Sequence, residues 1–190
     1  SERRRGGHGR RRRLRDEGRR ARNRGRRSAG ASDRPSIVTS PERPKVIVVV
    51  TAAITARLFM RGYAEFLAER GYAVTLVADD VSEFESSLAQ QGVEALSLPM
   101  RRDPSPLHDL RSMWKMILLM RRVRPDAVVY ATPKASMLAS VAARLLRVPV
   151  RVYELWGIRF ETAAGAGRQV FRMIERIIAS SSTSIIANSK

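Results

Sequence analysis

The chain has 190 residues, enough for one domain with a substantial core. It carries 36 Lys and Arg against 18 Asp and Glu, a net of +18, and residues 1–43 hold 16 of the arginines and only five acids. There is no cysteine, which excludes disulfides, Cys-based zinc sites and a thiol nucleophile. No apolar run approaches the roughly 18 residues that span a bilayer. Residues 1–43 are dominated by Arg, Gly and Ser without hydrophobic period, so they are expected to form a disordered basic tail. No apolar h-region follows the arginines, so a secretory signal is not expected. The tail could meet nucleic acid or anionic lipid through its charge. A solvated extension is the stronger reading, and nucleic acid is not the expected partner.

After Pro44 the pattern changes. Lys45–Thr51 is a β-branched run that reads as a buried parallel strand. Thr51–Ala56 reads as a loop. Phe59, Tyr63, Phe66 and Leu67 come next at helical spacing and are expected on the inner face. Gly71 is expected to end that helix in a left-handed cap. Val74–Ala78 is the second strand. A short helix over Val81–Gln91 would be capped by Ser82 with Glu85 completing a capping box. Glu94–Leu98 is the third strand. After the loop Pro99–Pro106, the helix Leu107–Arg124 is expected to face inward through Leu110, Met113, Trp114, Ile117 and Leu118. Strand four is Asp126–Ala131. The helix Ala135–Arg147 presents Leu138, Val141, Ala142 and Leu145, and strand five is Pro149–Leu155. The helix Arg168–Ser181 presents Val170, Phe171, Ile174, Ile177 and Ile178, and Ser184–Ala187 is strand six.

Strands alternating with helices predict an α/β fold, a Rossmann-like doubly wound parallel sheet of six strands in the order 3-2-1-4-5-6. Its switch point falls between strands one and four, beside the loops of Thr51, Thr132 and Trp156, where such sheets bind ligands.

Several chemistries are excluded by spacing. The first βα loop, TAAITAR, has no glycine to let the backbone approach a pyrophosphate, so no nicotinamide or flavin cofactor is expected. There is no P-loop and no G-x-S-x-G elbow. His8 and His108 stand far apart in the sequence, and no metal is expected. What remains is a loop-borne basic set, Arg57, Arg61, Arg101, Arg102, Lys134 and Arg159. Guanidinium groups grip phosphates through two nitrogens, so this set points to a phosphorylated substrate.

The segments VIVVVT, LAERGYAVTLVA, PMRRDPSPLHDLRSMWKM, RPDAVVYATPKASMLASVAARLLRVPVRVYELWGIRFET and TSIIANS resemble the N-terminal domain of a family 4 glycosyltransferase, which has the GT-B architecture. The resemblance covers Lys45 to Ser189 and is most specific in TPKAS and WGIRFET. It implies the acceptor-binding half of a retaining enzyme. The donor is a nucleotide-sugar, held by a C-terminal domain absent from this chain. The acceptor is a polyprenyl-linked or otherwise phosphorylated sugar used in glycan assembly. It places Thr55, Arg57, Arg102, Ser105, Thr132, Lys134, Trp156, Arg159 and Glu161 at the acceptor. Arg102, Lys134 and Arg159 would take phosphate, Trp156 would stack on the sugar or lipid, and Glu161 would orient Arg159 or a hydroxyl. Two departures stand out. Trp156 replaces the His common in the family, which removes an imidazole role, and the E-x7-E motif of the donor domain is missing. This chain alone is therefore expected to be inactive. Two rivals are a nucleotide-sugar 2-epimerase-like half and a basic nucleic-acid-binding protein with an α/β body. The expected location is cytoplasmic, with a peripheral place on the inner face of the plasma membrane. There the mixed apolar and basic helix Leu107–Arg124 would meet anionic lipid.

Overall fold

Strand β1, Lys45–Val49, lies at the centre of the sheet. In the computed structural model, which describes residues 42–100, 105–156 and 165–187, its Val46–Val49 stretch is buried on both faces. A strand buried on both sides needs apolar residues at every position, which is why KVIVV does not alternate. The strand pairs in parallel with β2, Ala73–Ala78, and with β4, Ala127–Ala131. β3, Val93–Ser97, lies outside β2. On the other side β5, Val150–Leu155, and β6, Ser184–Ala187, complete the order β3-β2-β1-β4-β5-β6. All five pairings are parallel and the order is the expected one. The expected tail, residues 1–43, lies outside the described residues except for its last two.

Each face of the sheet has its own core. One holds Val46, Val48, Leu76 and Val129 against Ala56, Met60, Ala64 and Leu88. The other holds Ile47, Val49, Val128 and Tyr130 against Met116, Met120, Leu138, Ala139 and Ile178. The first core is closed by α1, residues 53–69, and by α2, Glu85–Gln90. The second is closed by α3, Pro106–Val123, α4, Pro133–Leu145, and α5, Gly165–Ser181.

Helix α1 departs from expectation. It starts at Ala53, inside the expected loop. It runs as an α turn, Ala53–Thr55, a π-helical turn, Ala56–Met60, and an α segment, Arg61–Glu69. A π turn inserts one extra residue and rotates the remainder of the helix by about 100°. The buried positions are Ala56, Met60 and Ala64, while Tyr63 and Leu67 pack only partly. Phe59 and Phe66 lie outside, Phe59 66% exposed. Phe66 instead carries the Arg70 guanidinium 4.2 Å above its ring. Gly71 ends the helix as expected, with φ of 89° and its N–H on the Ala68 carbonyl.

Three further expectations fail in whole or in part. Ser82 does not cap α2, because its N–H goes to the Asp80 carboxylate in a turn and the helix starts only at Glu85. On α3 the buried positions are Ser112, Met116 and Met120, with Met113, Ile117, Leu119 and Val123 beside them. Ser112 is tolerated inside because its hydroxyl donates to the carbonyls of Pro99 and His108. Leu107, Leu110, Trp114 and Leu118 form a separate exposed stripe. On α5, Ile178 is buried and Ile174 packs on the core, whereas Val170 is half exposed.

α4 is a helix of small residues. Ala135, Ser136, Ala139, Ser140, Ala142 and Ala143 are all buried, so its backbone can approach the sheet and the flanking α3 and α5 closely. Ser136 Oγ is buried without a hydrogen-bond partner among the described residues. The C-terminal carbonyls of α5 are taken by arginines: Arg144 donates to Ser180 O and Arg151 to Ser181 O, where cations complement the helix dipole. Under α5, two tyrosines on neighbouring strands stack with centroids 6.1 Å apart. Tyr130 OH meets Ser182 Oγ at 2.7 Å and Tyr153 OH donates to Glu175 at 2.9 Å. Burial, then the Glu175 contact, pushes the Tyr153 phenol well above its usual range. Burial likewise raises Glu175, against the pull of the phenol hydrogen bond. In that bond the Tyr153 hydroxyl is the donor and Glu175 Oε2 the acceptor.

Candidate functional site

The C-terminal ends of β1, β4 and β5 meet at the switch point, and the residues just beyond them bind the loops together. Thr51 follows β1 and Thr132 follows β4. Thr51 N–H donates to Thr132 Oγ1 at 3.0 Å, and the two hydroxyls lie 2.8 Å apart. Thr51 Oγ1 also accepts the N–H of Ala135 at 3.2 Å. Ala135 is the third residue of α4, so a threonine from another strand performs the capping role. Thr132 itself sits at φ of 69°, a region that non-glycine residues rarely adopt, and its side chain offers α4 no cap bond. The strain is held in place by the Thr51 contacts.

Lys134 is the second residue of α4. Its Nζ lies 2.7 Å from Asp109 Oδ1, with the lysine side chain only 16% exposed. Asp109 also accepts the Ser105 N–H through Oδ2, and Ser105 is the N-cap residue of α3. Ser105 Oγ meets His108 Nδ1 at 3.0 Å. Two helix N-termini, Lys134 and one carboxylate thus converge. N-termini of helices carry partial positive charge and favour anions.

A second group forms around Trp156. Its ring lies 5.5 Å from that of Phe59, tilted by 54°, which accounts for Phe59 leaving the core. Along β5, Val152 and Trp156 pack toward the α1 side of the sheet. Glu154, between them in the alternation, shares that side. Burial raises the Glu154 carboxyl, and a hydrogen bond from Trp156 works against that rise. Burial, then the Glu154 charge, raises Tyr63. Among the described residues Glu154 has no basic side chain within ion-pair distance.

The expected site residues therefore divide. Thr132, Lys134 and Ser105 come together with Thr51 and Asp109. Trp156 joins Phe59 and Glu154. Thr55 is half-buried in the first turn of α1. Arg57 faces the β2–α2 connection, 3.8 Å from Glu83, and lines a cavity of about 240 Å³ with Asp80 and Glu83. The Ser82 N–H holds Asp80 below its usual range, so that cavity is bordered by more negative than positive charge. Arg61 bonds Glu65 and Ser87. Arg101, Arg102, Arg159 and Glu161 lie outside the described residues. Sequence reasoning placed the Thr51 loop beside Thr132 at the switch point but missed Asp109, Phe59 and Glu154 as partners. The only signal for Glu154 was an acid at a position of β5 that alternates with Val152 and Trp156. Among the described residues there is no cluster of His, Cys, Asp and Glu that could hold a metal, and no helix long and apolar enough to cross a membrane.

An open parallel sheet with helix N-termini at its switch point is a doubly wound arrangement, and one half of a GT-B fold is built in this way. The family model described as glycosyl transferase 4-like domain matches residues 55–190, and the chain belongs to that family, as an N-terminal-type GT-B domain. It is 34% identical over 149 residues to the capsular polysaccharide biosynthesis glycosyltransferase CapM of Staphylococcus aureus, covering 77% of this chain and 37% of CapM. The chain thus spans little more than a third of that curated relative. Among solved structures, a glycosyltransferase from Rickettsia africae superposes with a TM-score of 0.58 at 12% identity, covering 78% of this chain and 37% of that one. HepE of Anabaena, solved with UDP-glucose, gives 0.56 at 19% identity, with coverages of 76% and 37%. The UDP-GlcNAc 2-epimerase of Neisseria meningitidis gives 0.55 at 17%, with coverages of 75% and 39%. At such identities the solved structures speak for the fold alone.

Proposed function

We propose that this chain is the acceptor-binding half of a retaining, nucleotide-sugar-dependent glycosyltransferase acting in polysaccharide biosynthesis on a lipid-linked or otherwise phosphorylated glycan. The observation that carries the reading is the 34% identity to CapM over 149 residues. The convergence of Lys134 with the N-termini of α3 and α4 supports an anionic acceptor. The donor is assigned to a second domain, by analogy with the length of CapM that this chain leaves unmatched. The 2-epimerase reading rests on a shared fold, at 17% identity for the Neisseria meningitidis enzyme. The test is an assay of the complete reading frame with radiolabelled nucleotide-sugars and membrane lipid extract. Label is expected in the lipid-linked fraction, with residues 1–190 alone inactive. Interconversion of the nucleotide-sugar without lipid labelling would instead favour the epimerase.

The membrane role falls to the outer stripe of α3. Leu107 is 82% exposed, Leu110 69% and Trp114 59%, and the exposed Arg111, Arg121 and Arg122 lie on the same helix. Apolar and indole groups beside basic residues suit an anionic bilayer surface. Residues 44–190 are expected to float with vesicles containing phosphatidylglycerol and to stay down with pure phosphatidylcholine. Leu110→Asp with Trp114→Asp is expected to abolish flotation. Equal behaviour on both lipids would refute this role.

A further inference from the structure

We propose that Glu154, Trp156 and Phe59 form a pyranose subsite, with the Glu154 carboxylate accepting two sugar hydroxyls and the aromatic pair receiving the C–H face of the ring. This deepens the acceptor reading above and rests on it for the identity of the physiological ligand. Three observations converge. First, the Phe59 and Trp156 rings meet at 5.5 Å and 54°, an open corner rather than a closed stack, and Phe59 is two-thirds exposed. Aromatic faces are negative and attract the polarised C–H bonds of a sugar. Second, Glu154 shares the same side of β5 and is only partly exposed, yet no described basic side chain pairs with it. A half-buried carboxylate needs donors. The indole of Trp156 stands on the same side as one donor group, and two carboxylate oxygens have room for more. Third, the group stands at the C-terminal end of β5, where Glu154 is in register with Ala131, one residue before Thr132. That places it on the ligand-binding side of the sheet.

The occupant is set by the chemistry. A purely apolar ligand would satisfy the rings and strand the carboxylate. A phosphate would be repelled by it. A neutral polyol with one apolar face satisfies both, and charge-assisted O–H bonds to carboxylate are short and strong. Lys134 and Asp109 belong to the other group of the site, so phosphate and sugar ends of one acceptor are assigned different protein partners.

The experiment uses the 190-residue chain without donor. Saturation-transfer NMR against the methyl pyranosides of glucose, galactose and N-acetylglucosamine is expected to show transfer to the ring protons of at least one. The affinity is expected to fall about 10- to 150-fold in Glu154→Gln, the range for losing bonds to a charged acceptor, and to fall also in Phe59→Ala. Glu154→Gln keeps shape and the indole contact, so its thermal midpoint is expected to match the parent. Absence of transfer to all three sugars, or equal binding by Glu154→Gln, overturns the subsite. The outcome is separable from the transferase reading. If the complete enzyme transfers sugar and Glu154→Gln leaves its acceptor KM unchanged, the subsite fails while the activity stands. If sugars bind but no transfer occurs, the reverse holds.

Discussion

In an active transferase carrying this domain, Lys134→Met is expected to raise the acceptor KM and to lower kcat/KM about 10- to 150-fold, with the donor KM nearly unchanged. That range corresponds to roughly 1.5–3 kcal/mol for a lost contact to a charged group. Arg159→Lys is expected to act in the same direction, because it keeps the charge and loses the two-nitrogen grip. The Asp109 contact at 2.7 Å offers a competing explanation, in which Lys134 only pins α4 to α3. An ammonium has three N–H groups, so one can meet Asp109 and another a phosphate oxygen. Asp109→Asn separates the two roles. If Lys134 holds the acceptor phosphate, removing the competing carboxylate lowers the acceptor KM while Lys134→Met raises it. If it is only a pin, the two variants lose stability together and neither changes acceptor KM selectively. Steady-state kinetics with each substrate varied in turn, beside a denaturation curve for each variant, reads both.

Thr51→Val is expected to destabilise the folded body by about 2–4 kcal/mol. The side chain keeps its shape and loses one oxygen. That oxygen accepts the Ala135 N–H and meets the Thr132 hydroxyl, and Thr51 is only 7% exposed. A lost helix cap costs about 0.5–2 kcal/mol, and a buried donor left without a partner about 1–3. The strained Thr132 also loses one of its anchors. Thr51→Ser keeps the oxygen and is expected to stay within about 1 kcal/mol of the parent. Urea denaturation of residues 42–190 measures both, with stability read at constant slope. A valine variant as stable as the parent would mean that the two loops are not held by this hydroxyl.

The sheet was legible in the sequence, and the helix faces and side-chain partners much less so. VIVVV and AVVYA are apolar throughout, the pattern of strands buried on both faces. Alternation with helices then implies a parallel sheet with right-handed crossovers, and 3-2-1-4-5-6 is one of the doubly wound orders this allows. Periodicity failed where a helix has more than one apolar stripe. On α3, Leu110–Trp114–Leu118 and Ser112–Met116–Met120 have the same spacing. The larger stripe looks like the core one, but Ser112 is carried inside by bonds to Pro99 and His108 that no local pattern announces. On α1 a π turn shifted the phase, and alanines rather than phenylalanines meet the sheet. At the site, Thr132 and Lys134 were found because they come directly after a strand. Thr51, 81 residues from Thr132, and Asp109 on a different helix become partners only through the fold.

The two-faced burial of β1 sets an order of events during synthesis. Val46 and Val48 can be covered as soon as α1 and β2 emerge, since Met60, Ala64 and Leu76 come closely behind them. Ile47 and Val49 must wait for Met116, Met120 and Leu138, on helices made much later. At roughly 5–20 residues per second the ribosome takes on the order of 4–20 s to reach them. For that interval the nascent chain carries a half-finished sheet with one greasy face open to solvent. An apolar face left open in this way is the kind of surface that chaperones bind.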